Sequence, residues 1–246
     1  MKAITFDTSR YDQIIDVMEG VYRHKLERGA ETSDVLFYRL LADYHRRVRQ
    51  AHEAGKLVVG HTVLVPTEIF YAMDIVPLQT DNGVNTTVTT LKNQEEIFSI
   101  AKGLGMAPEL CSAHRAQMAM YVQGWFPRPD GVIYSHQVCH SSPKSGEDLC
   151  HIYDIPGFYL DRPYGYRERD AEYYAQEMEQ AIAFLEKLSG RPMDWDWLLQ
   201  ALHFSRQAMA LQKEVYELHR TSPSPMANRR GPQSMNIGWL YAGSRE

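Results

Sequence analysis

Four short apolar runs separated by stretches of helical periodicity constrain this chain more than any other feature. They are Lys56–Gly60 (KLVVG), Asp74–Leu78 (DIVPL), Gly131–Ser135 (GVIYS) and Gly157–Asp161 (GFYLD). Each reads as a strand, and KLVVG, a short β-branched run after a glycine, as a buried one. Between the first two, Pro66 stands where a short helix opens, and Glu68 falls in its first turn, where a carboxylate suits the helix dipole. Ile69, Phe70 and Met73 supply the apolar side of that helix. Helices are predicted over Asn93–Gly103 and from about Ala107 to Gln123. Strands that alternate with helices predict an α/β fold, a parallel Rossmann-like sheet flanked by helices.

Helical segments bracket this region. Tyr11, Ile14, Ile15, Met18, Val21 and Tyr22 follow helical spacing up to Gly29, and a second helix is expected over Ser33–Ala54, closed by Gly55. Its apolar side of Leu36, Leu40 and Tyr44 is opposed by Arg46, Arg47 and Arg49, a basic cluster that reads as a solvated face or, alternatively, as an anion site. Toward the carboxyl end, Tyr174, Met178, Ala181, Ile182, Leu185 and Leu188 mark one helix, and Phe204, Ala208, Leu211, Val215 and Leu218 another. The tail from Thr221 is rich in Pro, Gly, Ser and Asn and reads as a loop or the start of something unfinished. The expected organisation is a helical segment over 1–55, an α/β domain over 56–190, and over 191–246 the helical beginning of a truncated second α/β domain.

The bulk properties remove several function classes. A net charge of −5 and a pI near 6.1 argue against nucleic acid or an anionic membrane as the main partner. No apolar stretch approaches the ~18 residues that would span a bilayer. The first residues, MKAITFDTSRYDQ, lack a secretory signal, so a cytoplasmic location is expected. Three cysteines without an export signal are poor material for a disulfide framework and remain available as thiols or metal ligands.

Those cysteines carry the chemistry that can be read. Cys139 follows the strand GVIYS by a few residues, and an open parallel sheet keeps its ligands outside the carboxyl ends of its strands. Cys111 sits near the start of the helix that ends around Gln123, and a helix N-terminus stabilises a thiolate. The stretch SHQVCHSSPKSGEDLCHIYD, read as a loop, adds His136, His140, Cys150 and His151. Thiolates with imidazoles suit zinc, several thiolates suit an iron–sulfur cluster, and solvated loop histidines are the plain alternative. A nucleotide-binding GxxxxGK[ST] loop, a GxGxxG after a strand, a GxSxG elbow and an HExxH pair are all missing, so nucleotide hydrolysis and nucleophilic-serine chemistry have no support. Glu68 is the candidate for proton transfer, against the simpler role of a dipole partner.

At this point the residues resemble a known family. KLVVGHTVLVPTEIFYAMDIVPL is similar to a segment of the D-component subunits of 2-hydroxyacyl-CoA dehydratases and the related benzoyl-CoA reductase subunits. ELCSAHRAQM looks like the surroundings of the family's first cluster cysteine, and GVIYSHQVCHSSPK like the strand leading to the second. IPGFYLDRPYG and the later SGRPMDWDWLLQAL are similar to the passage from the family's first domain into its second. The resemblance runs from about Lys56 to Pro225.

It implies a [4Fe–4S] cluster with Cys111 and Cys139 as ligands, an acyl-CoA substrate, and Glu68 near the thioester. It implies two partners, a homologous second subunit and an ATP-dependent iron–sulfur activator that delivers one electron. The reaction would be removal of water from a 2-hydroxyacyl-CoA through a ketyl radical, or ring reduction in the reductase branch. The family's third cysteine lies in its second domain, and Cys150, the remaining thiol here, matches no family ligand, which leaves Cys150 or a histidine as a candidate third donor. His140 also stands where the family usually has an acidic residue. Three readings stay open: an iron–sulfur enzyme subunit, a non-catalytic partner of a complete homologue, and a zinc-stabilised binding module.

Overall fold

A computed structural model describes residues 4–81 and 90–245 of the chain; of the expected terminal segments, residues 1–3 and 246 lie outside the described residues. Four parallel strands form one sheet: β1 (Val58–His61), β2 (Val76–Gln79), β3 (Gly131–Tyr134) and β4 (Gly157–Tyr159), in the order β2-β1-β3-β4. Val59 pairs with Gly131 on one side and with Pro77 on the other, and Ile133 pairs with Phe158.

The period of two along the strands divides the core into two layers. Val58 and Val132 point to one face, and Val59 and Ile133 to the other. The first face is covered by α1 (Ser9–Glu27), α2 (Thr32–Gln50), α4 (Gln94–Gly103), α5 (Ser112–Val122) and α6 (Ser141–Tyr153), with Ile14, Leu41, Ile97, Met120 and Leu149 buried there. The second is covered by α3 (Glu68–Ala72), α7 (Glu168–Ser189) and the start of α8 (Trp195–Leu218), through Ile69, Phe70, Ile182, Leu185 and Leu198. Each fully buried aliphatic side chain contributes about 1.5–3 kcal/mol, so both layers are needed to hold the sheet.

The expected α/β class with a parallel sheet between helices is what the chain forms. Boundaries moved for local reasons. Asp74 takes φ +52 and the Ile75 N–H returns to the Phe70 carbonyl, so the second strand starts at Val76 rather than at Asp74. The helix expected from Ala107 begins only at Ser112, which makes Cys111 its N-cap. The loop expected from His136 onward contains α6, because Pro143 falls in a first turn, where no N–H is required. The tail is not a loop throughout: α9 (Arg230–Tyr241) forms there, with Pro232 again in the first turn and Leu240 and Tyr241 buried in the first core.

Helix α9 is tied to its neighbours by polar contacts. Arg230 pairs with Asp34 and Glu31 at the start of α2, and the Tyr71 hydroxyl donates to the Leu240 carbonyl at 2.6 Å. The basic cluster of α2 is taken up internally. Arg46 pairs with Glu19 and Asp43, Arg49 pairs with Asp12 and Glu53, and Arg47 lies over the rings of Tyr71 and Tyr241. Helix α8 is different, since it leaves Leu199, Met209 and Leu211 more than 60% exposed. Among the described residues, no helix is long and apolar enough to cross a membrane.

Candidate functional site

The chain leaves β1 toward β2 on one side and returns to β3 on the other, so the strand order reverses between β1 and β3. In open α/β sheets such a reversal opens a crevice beyond the carboxyl ends of the strands. Thr62, fully buried, closes the base of that crevice: its N–H donates to the Ile133 carbonyl at 3.2 Å, and its hydroxyl meets the Ser135 backbone. Asp81 follows β2, Cys139 follows β3 and Asp161 follows β4, so the polar residues gather at this edge.

Cys111 and His114 lie one helical turn apart, at the N-cap and in the first turn of α5. From there the His114 ring reaches the loop after β3, with Nε2 3.4 Å from the Cys139 sulfur. Cys139 is thereby joined, through the His114 ring, to the first turn of the helix that Cys111 caps. Cys111 is exposed and Cys139 half-buried, so both are open to an incoming group.

The other edge of the His114 ring is enclosed. Its Nδ1 lies 3.1 Å from Ser145 Oγ, 3.2 Å from Gln117 Oε1 and 3.9 Å from Asp81 Oδ1. Asp81 in turn accepts the Val63 N–H at 3.0 Å and the Ser142 hydroxyl at 3.1 Å. Burial pushes the Asp81 carboxyl above its ordinary value, and these donors only partly offset it. The histidine and the aspartate are the residues that sequence reasoning missed. His114 was visible as Cys111-x-x-His114 at a predicted helix start, but nothing in the sequence announced its contact with Cys139 across 25 positions.

Glu68 is the first residue of α3 and sits beside the same edge, on the opposite face of the sheet. It accepts the Ser205 hydroxyl of α8 at 2.7 Å and packs on Gly243. Tyr174 of α7 feels its charge and hydrogen-bonds Gln137, two residues before Cys139. Burial, assisted by Glu68, raises the Tyr174 phenol above its usual range. Buried polar atoms without a protein partner collect here as well, among them His61 Nε2, both amide atoms of Gln79, Ser135 Oγ and His136 Nε2. Buried polar atoms are normally paired, so this edge is built to meet water or a polar ligand.

Cys150 lies elsewhere. It is nine residues beyond the start of α6, about 14 Å along a helix axis, and its sulfur rests against Gly157 at the beginning of β4. Burial raises its thiol to about 11. His136 and His140 stack in parallel with ring centroids 6.0 Å apart, and His136 meets the Tyr159 hydroxyl at 2.6 Å. His151 is carried away on α6. Among the described residues, no three His, Cys, Asp or Glu side chains converge as a metal-holding group. Around the start of α7, Arg167 and Arg169 pair with Asp170, and Arg162 lies over Tyr164.

Comparison with known proteins gives this site a context. Residues 62–246 match the family model described as 2-hydroxyglutaryl-CoA dehydratase, D-component. The lactoyl-CoA dehydratase subunit alpha of Anaerotignum propionicum is 23% identical over 225 residues, covering 82% of this chain and 53% of the relative. The (R)-2-hydroxyglutaryl-CoA dehydratase subunit alpha of Acidaminococcus fermentans is 25% identical over 145 residues, covering 56% of this chain and 30% of the relative. The chain thus spans about half the length of the first relative and the match covers under a third of the second.

Proposed function

The chain belongs to the 2-hydroxyglutaryl-CoA dehydratase D-component family, and we propose that it serves as a subunit of a cytoplasmic enzyme that removes water from a 2-hydroxyacyl-CoA thioester. Dehydration is preferred to ring reduction because both matched relatives are named as dehydratase subunits. In this reading Cys111 and Cys139 are two ligands of a [4Fe–4S] cluster.

The observation that carries the reading is the meeting of Cys139 with the N-terminus of α5, the helix capped by Cys111. The donor set is incomplete for such a cluster: two accessible thiols lie at the carboxyl edge of the sheet, one capping α5 and the other in contact with His114 of that helix. Among the described residues no third cysteine joins them and no metal-holding group forms, so a cluster on these two thiols would need further ligands from outside these residues. When bound, such a cluster would supply one-electron and Lewis-acid chemistry.

The protein's own residues have separate tasks. Glu68, held by Ser205, would take or return a proton at the acyl group. His61 and Gln79, buried and with free polar atoms, offer neutral hydrogen-bonding groups to a polar substrate. Burial lowers His61 to about 4, so it meets a ligand as an uncharged ring at neutral pH. The apolar side chains exposed on α8 support docking of a homologous second subunit, and an ATP-dependent iron–sulfur activator would deliver the electron.

The test is anaerobic purification followed by iron, sulfide and zinc analysis. Roughly four irons and four sulfides per chain, lost in Cys111→Ala and Cys139→Ala, are expected. One zinc per chain would favour a binding module instead. Folded protein without any metal would overturn the cluster reading for this chain.

A further inference from the structure

We propose that His136 recognises the 2-hydroxyl group of a 2-hydroxyacyl thioester, accepting its hydrogen at the ring Nε2, and that Tyr159 and Asp161 position the ring for that task. The inference deepens the proposed dehydratase reading and rests on it for the identity of the ligand; the orientation of the ring rests on geometry alone.

That geometry comes from the ends of two neighbouring strands. His136 is the second residue after β3, and Ser135 before it forms the floor of the crevice with Thr62. Tyr159 ends β4, and Asp161 lies two residues further on. The ring Nδ1 is 2.6 Å from the Tyr159 hydroxyl and 3.5 Å from Asp161 Oδ1. Asp161 is itself fixed from α7, where the Tyr173 hydroxyl donates to its Oδ2 at 2.7 Å.

These partners select one tautomer. Burial, with the Asp161 charge beside it, raises the Tyr159 phenol above its ordinary value, so the hydroxyl keeps its proton and directs it to Asp161. Its oxygen is then free to accept, and a carboxylate can only accept, so the uncharged ring carries its hydrogen on Nδ1. Nε2 is left with a lone pair.

The strand order sets where that lone pair faces. Strand β3 lies between β4 and β1, so a ring held at Nδ1 from the β4 side turns its Nε2 edge toward β1 and the crevice. Nε2 is buried on a residue 8% exposed and has no partner among the described residues. A buried acceptor is normally met by a donor, and the 2-hydroxyl is the donor that an unsubstituted acyl group lacks. A site built to pair such a hydroxyl rejects the analogue without it, because its own polar atom is then left unpaired. Tyr164 covers the His136 ring at a centroid distance of 5.2 Å, and at 69% exposure it can turn into solvent to admit the ligand.

The test is calorimetric titration of the full chain with lactoyl-CoA and with propionyl-CoA, which differ only in the 2-hydroxyl. It is run at pH about 8, above the ordinary histidine range. Wild-type protein should prefer lactoyl-CoA by about 2–10-fold, the worth of one hydrogen bond. His136→Phe keeps a flat ring and should lose the preference while binding propionyl-CoA as before. An equal preference in the variant, or none in the wild type, would overturn the recognition role and leave the CoA-thioester reading standing. Binding of neither thioester would remove that reading and the hydroxyl recognition with it. The orientation is read separately from the ¹⁵N shifts of the His136 ring in the ligand-free chain. Hydrogen on Nδ1, with shifts that move in Tyr159→Phe, is expected; hydrogen on Nε2 would overturn the assigned geometry whatever the thioesters do.

Discussion

Ser135 donates its backbone N–H to Thr62 Oγ1 at 2.9 Å, which joins the residue after β1 to the residue after β3. The bond crosses the place where the strand order reverses, and both residues are almost completely buried. It therefore fixes the floor of the crevice from which the loop bearing Cys139 rises.

Replacing Thr62 with valine keeps the shape and leaves the Ser135 N–H buried without a partner. An unsatisfied buried donor costs about 1–3 kcal/mol. The urea midpoint should fall accordingly, without a change in the slope of the transition. A midpoint equal to that of the wild type would mean that water replaces the hydroxyl.

Helix α6 lies unusually close to β3 at Gly146, where a Cβ would come within 2.4 Å of Tyr134 Cβ. Because the obstacle is so near the strand backbone, Gly146→Ala must push the helix outward. A loss of about 1–3 kcal/mol is expected, together with displacement of Ser142 and Ser145 from Asp81 and His114. Thermal denaturation measures the first effect and the His114 ring resonances the second.

The three thiols should react at different rates in the folded, metal-free chain. Cys111 is exposed, and Cys139 is half-buried, whereas burial raises Cys150 to about 11 and leaves little thiolate at neutral pH. Iodoacetamide followed by peptide mass spectrometry should label Cys111 and Cys139 well before Cys150. Equal labelling of Cys150 would show that the packing of α6 on Gly157 opens readily.

Burial lowers His45 and His61 to about 4 each, below their ordinary value. The unfolded chain then binds more protons than the folded one between about pH 4 and 6.5. The stabilisation is present above that window and is lost as pH falls through it, by up to about 1.4 kcal/mol per pH unit for each histidine. Denaturation midpoints should drop on acidification, and His45→Gln should flatten the drop. An unchanged slope would assign the acid sensitivity to other groups.

Glu68→Gln preserves an oxygen to accept the Ser205 hydroxyl, so the fold should hold. In the assembled enzyme, loss of a proton-transferring carboxylate should lower kcat by about 10²–10⁴-fold. A variant with full turnover would leave Glu68 as a structural link between α3 and α8.

The sequence determined the class of fold. Short apolar runs such as KLVVG and GVIYS cannot satisfy their backbones alone, and their alternation with helices admits little besides a parallel layered sheet. It also marked Cys139, because a thiol just beyond a buried strand lies at the carboxyl edge in any such sheet. Glu68 was legible for the same reason, as the start of the helix after β1. The helix within the tail was not legible, because its Gly and Pro residues mask an element that buries Leu240 and Tyr241.

Only the tertiary structure decided which groups meet. Cys150 and His151 share a short stretch with Cys139, yet α6 carries them about one and a half nanometres along its axis. His114 and Asp81 are far from Cys139 in the chain, yet α5 and the end of β2 bring them together beside it. Periodicity is local, so it can be read from neighbouring residues. The juxtaposition of a thiol, an imidazole and a buried carboxylate depends on how helices pack against a sheet, and that is set by the whole core at once.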